Sequence, residues 1–137
     1  MIVPDHLGAY PDNVDNTKRW RYELPLIILG GPINTPQQST TCGSQIDICA
    51  TVLAMMGKDH SDFLYSKDLL DPQAPHFAFF AVPDAIGMIN DSCFIYYDNV
   101  SRKVIIAEGN GSDSLLIKSH ALLQKLYDDL EARKAGK

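Results

Sequence analysis

The second half of the chain contains four short apolar segments whose close spacing restricts the folds that it can adopt. Residues 77–82, 86–89, 93–97 and 103–107 have β-strand character, and the turn-forming pairs Pro83-Asp84, Asn90-Asp91 and Asp98-Asn99 separate them. Parallel strands need a crossover of about a dozen residues, and these intervals are shorter. The sequence therefore predicts a small antiparallel meander in this half.

Two helices are predicted from apolar periodicity. After Asn110-Gly111-Ser112 an amphipathic helix should close the chain, because leucines recur largely on one face at Leu115, Leu116, Leu122, Leu123, Leu126 and Leu130. A second helix is predicted over residues 44–56, where Ser44 and Asp47 form a near capping box and Gly57 is a natural stop. Its core face should comprise Ile46, Cys49, Ala50, Leu53 and Met56.

Residues 24–29 form a continuous apolar run, closed by Gly30-Gly31-Pro32. Such a run predicts a strand buried on both faces, as in a parallel sheet covered by helices. The fold class expected is therefore α/β in the first half and α+β in the second. Residues 1–70 should form part of a larger core that needs further sheet to pack against, and residues 71–137 should form the small sheet and closing helix.

Composition excludes some classes of function. The 137 residues carry a net charge of -5, and their lysines and arginines are scattered, so no nucleic-acid footprint is present. No apolar run is long enough to span a bilayer, and the N-terminus lacks a signal peptide. Three cysteines, Cys42, Cys49 and Cys93, are expected to be small core residues. Ile2-Val3-Pro4 resembles the end of a strand without its beginning, which suggests truncation.

Asp5 and His6 are the candidate metal ligands. They directly follow this strand-like start, and they offer one carboxylate oxygen and one imidazole nitrogen to a divalent cation. As a dipeptide alone they are better explained by a solvated turn. Arg21 is the candidate substrate-binding residue, because guanidinium binds sulfate or phosphate bidentately, although packing and solvation around a strand entry explain it better.

Four segments in fixed order resemble a known family. They are "IVPDH", followed by a polar loop with a predicted turn at Tyr10-Pro11-Asp12-Asn13, then "RYELPLIILGGPI", "SQIDICATVLAMMG" and "DFLYSKDLL". Together they resemble the C-terminal part of the sulfatase family in the alkaline phosphatase superfamily. The similarity is closest to lipoteichoic-acid-synthase-like phosphoglycerol transferases. It implies the C-terminal segment of an alkaline-phosphatase-like fold, with a small antiparallel sheet and a closing helix.

The resemblance also implies a chemistry. Asp5 and His6 match a metal-binding pair, the metal being manganese, zinc, calcium or magnesium, and the substrate would be a sulfate or phosphate ester. One departure is Leu7, which stands where many relatives have glycine. The nucleophile and further acidic ligands lie upstream in the family, so the chain carries no catalytic residue and should be inactive alone. Such parent proteins work in the cell envelope, in the periplasm or on the outer face of the membrane.

Two alternatives remain open at this stage. The chain could be a non-catalytic, stand-alone remnant that binds a partner or self-associates as a homo-oligomer through an exposed sheet edge beside residues 26–29. It could also dock onto a separately encoded N-terminal half and complete the enzyme there.

Overall fold

The computed structural model describes residues 1–8, 13–31 and 33–136. The chain divides into two compact units, one formed by Met1–Thr41 with Ile46–Ala74 and the other by Cys42–Gln45 with Pro75–Lys137. Of the turn predicted at Tyr10-Pro11-Asp12-Asn13, the first three residues lie outside the described residues.

The unit that continues from Pro75 is built on a four-stranded antiparallel sheet with strand order β1-β2-β3-β4. Helix α2 follows the sheet and packs mainly on β2 and β3. The predicted meander and closing helix are confirmed, which makes this part α+β. In the described part of the chain, no helix is both long and apolar enough to cross a bilayer. The elements are β1 Ala78–Val82, β2 Ala85–Ile89, β3 Phe94–Asp98, β4 Lys103–Glu108 and α2 Ser112–Ala135.

Local turn chemistry explains why the first two hairpins form where they were predicted. Pro83 and Asp84 join β1 to β2, and Asp84 has a φ of 64°, a left-handed conformation that Asp tolerates better than bulkier residues. Between β2 and β3 the Asn90 side chain takes the place of a backbone acceptor. Its Oδ1 accepts the N–H of Ser92 at 3.0 Å and that of Cys93 at 2.7 Å.

Asp98 organises the turn between β3 and β4 in the same manner. Its Oδ1 accepts the backbone N–H groups of Val100 at 2.9 Å and Ser101 at 2.7 Å. The hydrogen bond from the Ser101 backbone, which favours the charged carboxylate, holds the pKa of Asp98 below its ordinary value. These turns are fixed by residues within a few positions of one another, and such signals are readable from sequence.

One face of the sheet packs against α2. Met88, Cys93, Ile95 and Leu115 form a buried cluster in which each residue is at most 4% exposed, with Phe77, Phe79, Leu116 and Leu122 packed against it. The Cys93 thiol also donates to the carbonyl of Asn110 at 3.0 Å, so the turn before α2 is tied to β3. The cluster joins strand and helix residues into one core.

The opposite face carries an aromatic group over a glycine. The ring of Phe80 covers Gly87 on the neighbouring strand, and its centroid lies 6.4 Å from those of both Phe94 and Tyr96. A methyl group at Gly87 would overlap the Phe80 ring, so the absence of a side chain there allows the ring to lie flat against the strand.

Ser44 closes the outer edge of β1. Its hydroxyl accepts the backbone N–H of Phe79 at 2.8 Å and lies 3.1 Å from the Phe79 carbonyl oxygen, to which it donates. Nearby the Cys42 thiol donates to the carbonyl of Ile89 at 3.5 Å. The prediction that Ser44 caps the following helix is therefore wrong, because the backbone of a strand 35 residues away takes its hydroxyl.

The predicted helix near residue 44 is present in a shorter form, as the 3₁₀ turn Gln45–Asp47 and the helix α1, Ile48–Met55. Asp47 makes no side-chain cap. Its carboxylate is 0% exposed and accepts the Lys67 ammonium at 2.6 Å and the Lys67 backbone N–H at 3.0 Å. The capping role predicted for Asp47 is thus wrong, since a distant lysine engages both oxygens.

The first turn of α1 holds the segment that contains Lys67. The hydroxyl of Ser66 accepts the backbone N–H of Ala50 at 2.9 Å, which satisfies a helix donor that has no partner within the helix. Thr51 Oγ1 donates to the Asp47 carbonyl at 2.7 Å and accepts the N–H of Leu69 at 3.0 Å. Ser66 therefore accepts a hydrogen bond from the first turn of α1, which is the capping role that the sequence predicted for Ser44.

The buried face of α1 also differs from the prediction. Ala50 and Thr51 are 0% exposed, whereas Ile46 is 50% exposed, Met56 is 64% exposed and Cys49 is exposed. The stripe of Ile46, Cys49 and Met56 is therefore not a core face in this structure. Of the three cysteines expected in the core, Cys93 is buried, Cys42 is half-buried and Cys49 is exposed.

Residues 24–29 do not form the predicted strand. Their one ladder contact is an antiparallel bridge between Ile2 and Ile27, closed by two backbone hydrogen bonds of 2.8 and 2.9 Å. Leu29 is 71% exposed and Ile27 is 47% exposed, so the run is not buried on both faces. An apolar run becomes a buried strand only between neighbouring strands, and among the described residues it has a single bridge.

Candidate functional site

The Ile2–Ile27 bridge fixes the start of the loop that carries the candidate ligands. Asp5 and His6 follow the bridge by a few residues, and both side chains are open to solvent, at 85% and 74% exposure respectively. The Asp5 carboxylate accepts the backbone N–H of His6 at 2.8 Å. This bond turns the carboxylate toward the histidine, and His6 Nε2 lies 3.4 Å from Asp5 Oδ2.

A second contact determines which nitrogen of His6 is available. Nδ1 lies 2.9 Å from the carbonyl oxygen of Leu7, and a ring nitrogen approaches a carbonyl at that distance as an N–H donor. In the neutral ring, Nε2 then carries the lone pair that faces Asp5 Oδ2. Two acceptor atoms so close are unfavourable unless a proton or a cation lies between them.

The spacing of these two atoms fits a shared cation. Two ligand atoms about 2.1 Å from one metal, separated by the tetrahedral angle, lie about 3.4 Å apart. The Nδ1 contact to the Leu7 carbonyl resembles the outer hydrogen bond that commonly orients a metal-binding histidine. Among the described residues no group of three or more His, Cys, Asp or Glu side chains could hold a metal ion, and the assignment of Asp5 and His6 as metal ligands stays a prediction.

The chain contains a second Asp-His dipeptide, and the structure distinguishes the two. Asp59 directs both carboxylate oxygens to Ser61, accepting its backbone N–H at 3.0 Å and its hydroxyl at 2.8 Å. The hydroxyl bond is the main reason that the pKa of Asp59 is below its ordinary value. Asp59 is thus engaged in its own turn beside His60, whereas the carboxylate of Asp5 faces the ring of His6.

Arg21 is engaged away from this pair. It lies in the 3₁₀ turn Arg19–Tyr22, and its Nη1 donates to the carbonyl of Val14. Tyr22 donates from its hydroxyl to the carbonyl of Asn16 at 2.7 Å, so two side chains of this turn hold the preceding loop. In the described part of the chain, no hydrogen bond or ion pair joins Arg21 to Asp5 or His6. Its role toward substrate stays a prediction.

Asp15 lies next to Val14, in the loop to which the Arg21 side chain is hydrogen-bonded. Its carboxylate accepts the hydroxyl of Thr17 at 2.6 Å and the backbone N–H of Thr17 at 2.8 Å. The Thr17 hydroxyl bond is the main cause of the lowered pKa of Asp15, and the charges of Lys18 and Arg21 add to it. Arg21 therefore contacts this loop in two ways: its side chain donates a hydrogen bond to the backbone carbonyl of Val14, and its positive charge stabilises the Asp15 carboxylate.

Sequence reasoning missed a cavity beside the core of the sheet unit. It measures about 450 Å³, and its walls include His76, Met88, Leu115 and Lys118. His76 is half-buried, and its Nε2 is buried without a hydrogen-bond partner among the described residues. Such a nitrogen costs about 1–3 kcal/mol. Nothing in a polar, proline-flanked stretch of sequence indicates this burial.

Comparison with known proteins finds no relative of this chain. No family model matches the chain, and neither the curated proteins nor the solved structures contain a match.

Proposed function

We propose that this chain is the C-terminal part of a metal-dependent hydrolase or transferase of the sulfatase and phosphoglycerol-transferase type. In this proposal Asp5 and His6 are two of its metal ligands, and its substrates are sulfate or phosphate esters. The remaining ligands and the nucleophile would come from residues other than those described. The observation that carries the proposal is the 3.4 Å approach of two solvent-exposed side-chain atoms, His6 Nε2 and Asp5 Oδ2.

A divalent ion at such a site polarises the ester oxygen and lowers the pKa of the attacking group. Asp5 would contribute a negative charge that favours binding of the cation. His6 would contribute a neutral nitrogen whose ring is oriented by the Leu7 carbonyl. Leu7, the departure from the family pattern, thus has a defined part in the proposal, because its carbonyl selects the tautomer.

Arg21 is proposed as the residue that binds the anionic ester. Guanidinium recognises sulfate and phosphate through paired N–H donors, and Nη1 of Arg21 at present donates to the Val14 carbonyl. Substrate binding by Arg21 would therefore require the loop around Val14 to exchange that bond, or would use the other guanidinium nitrogens.

The first test is metal-induced thermal stabilisation. We expect Mn²⁺ or Zn²⁺ to raise the melting temperature of the chain, with a gain of about 1.4 kcal/mol at a metal concentration of ten times Kd. The double variant Asp5→Ala/His6→Ala should lose this increase. The matched control is Asp59→Ala/His60→Ala, which removes the same residue types from a pair whose carboxylate already binds Ser61.

The two variants separate the possible outcomes. An increase that survives Asp5→Ala/His6→Ala, or that disappears equally in the Asp59→Ala/His60→Ala control, contradicts a specific site at residues 5 and 6. The second test is to read the DNA upstream of the Met1 codon. A continuous frame that encodes a Thr, Ser or Cys nucleophile and an acidic ligand supports the proposal, and an in-frame stop contradicts catalysis within one polypeptide.

A second candidate function is that of a non-catalytic chain that self-associates. The edge predicted beside residues 26–29 does not carry it, because no strand forms there and one bridge is the only ladder contact among the described residues. A different observation favours it, namely the exposure of β4, an edge strand of the four-stranded sheet.

A further inference from the structure

The two edges of the sheet differ in how they are covered. At one edge the Ser44 hydroxyl bonds the backbone N–H and carbonyl of Phe79 on β1. At the other edge β4 pairs with β3 on its inner side, and no other segment in the described part of the chain pairs with its outer side. Five of the six residues of β4 are exposed, including Val104 at 41% and Ile105 at 46%.

An uncovered apolar edge strand invites pairing with another strand. The sequence of β4, Lys-Val-Ile-Ile-Ala-Glu, identifies that partner. When two copies run antiparallel about a two-fold axis between Ile105 and Ile106, each Lys103 lies opposite the Glu108 of the other copy. Val104 then lies opposite Ala107. The strand is therefore complementary to itself in charge and in apolar character.

The β-bulge in β4 makes this pairing geometrically possible. Directly paired residues of an antiparallel ladder lie on one face, and in a regular strand residues 103 and 108 would lie on opposite faces. The register with β3 shifts between Tyr96 and Tyr97, so that Lys103 pairs with Asp98 and Glu108 pairs with Phe94. Those two β3 residues are four apart and lie on one face, so Lys103 and Glu108 also lie on one face.

We infer that the chain forms a homodimer in which the β4 strands of two copies pair antiparallel and join two four-stranded sheets into one. The contact is isologous, because the same six residues serve both copies. Two Lys103–Glu108 pairs flank it, one at each end. This inference is independent of the metal site, since it uses residues of the sheet unit alone.

The test is sedimentation velocity over a concentration series of the intact chain. The wild type should dimerise, and Glu108→Lys, which places Lys opposite Lys at both ends, should raise the dimer Kd about tenfold or more. Lys103→Glu should do the same with glutamates. The charge-swapped variant Lys103→Glu/Glu108→Lys should recover dimerisation, and an equimolar mixture of the two single variants should form a heterodimer.

A matched control changes charge elsewhere on the surface. Glu131→Lys replaces an exposed residue of α2 that pairs with Lys134, and it should leave the dimer Kd unchanged. Circular dichroism checks folding, and if one single variant fails to fold, the other makes the same prediction. A dimer with the Kd of a weak interface is populated at a protein concentration of about 100 μM. A wild type that stays monomeric at that concentration therefore overturns the inference. So does a dimer that Glu108→Lys leaves intact, or a charge-swapped variant that folds but stays monomeric.

Discussion

Removal of the Lys67 ammonium should destabilise the chain more than the loss of any exposed ion pair. The Asp47 carboxylate is 0% exposed, and the Lys67 side chain is 12% exposed, with Nζ 2.6 Å from Oδ2. In Lys67→Met the apolar stem is kept and the charge is lost, which leaves a buried carboxylate without its counter-ion. Breaking a buried ion pair in this way costs about 3–5 kcal/mol.

The structure favours the lower end of that range. The backbone N–H of Lys67 still donates to Asp47 Oδ1 at 3.0 Å in the variant, so one hydrogen bond to the carboxylate survives. We expect a loss of about 3 kcal/mol in the free energy of unfolding, which for a chain of this size corresponds to roughly 10 °C in Tm. Urea unfolding followed by fluorescence of Trp20, the chain's single tryptophan and a member of the same unit, measures it.

Two further variants test the reasoning. Asp47→Asn/Lys67→Met removes both charges and should be about 1–2 kcal/mol more stable than Lys67→Met, because no uncompensated charge stays buried. Arg133→Met breaks an exposed pair of similar length, in which Nε lies 2.7 Å from Asp129 Oδ2, and should cost less than about 1 kcal/mol. The explanation is refuted if Lys67→Met costs no more than Arg133→Met, or if adding Asp47→Asn recovers nothing.

Two more predictions concern the sheet unit. Gly87→Ala should cost about 1–3 kcal/mol in the free energy of unfolding, because the added methyl overlaps the Phe80 ring. Phe80→Leu should relieve part of that cost in the double variant, and equal costs in both backgrounds would contradict the overlap. The lowered pKa of Asp98 contributes stability above its unfolded-state value of about 3.9, and this contribution is lost as the pH falls through the lower folded-state pKa. The difference in urea midpoint between wild type and Asp98→Ala should therefore narrow as the pH drops from about 6 to below about 3, and a constant difference would argue against it.

Where structure depends on neighbours in sequence, prediction succeeded. The hairpins turn at Pro83-Asp84, at Asn90 and at Asp98, whose partners lie within three residues, and the strands appear within one residue of their predicted ends. The closing helix follows from a long leucine periodicity of the same local kind. These elements need no information from elsewhere in the chain.

Prediction failed where distant residues compete for a side chain. Ser44 and Asp47 have the spacing of a capping box, but Phe79 takes the hydroxyl of Ser44 and Lys67 takes the carboxylate of Asp47. A local pattern cannot reveal such partners, which lie 35 and 20 residues away. The run at residues 24–29 failed for a related reason, since a strand is defined by its neighbours and this run has a single bridge in the described part of the chain.

Sequence position and the family resemblance selected Asp5 and His6 as candidate ligands, and that assignment stays a prediction. The chain also contains a second dipeptide of the same residue types, Asp59-His60. The side-chain partners separate them, because Ser61 occupies the carboxylate of Asp59, while Asp5 Oδ2 faces His6 Nε2. The contact between His6 Nδ1 and the carbonyl of Leu7 has no signature in sequence, since every residue has a carbonyl.

The segment Cys42–Gln45 belongs to the sheet unit although it lies 30 residues or more before β1 in the chain, and this affects the order of folding. The three hairpins and α2 bring together residues that are close in the chain, so they can form early and quickly. The hydrogen bonds between Ser44 and Phe79 close a loop of 35 residues. Closing this loop costs conformational entropy, and the bonds stabilise the fold only by what they contribute beyond that cost. We therefore expect β1 to form first with a bare outer edge. During that interval both edges of the meander can pair with a second chain. Once Ser44 bonds to Phe79, β4 is the one edge strand left uncovered in the described part of the chain.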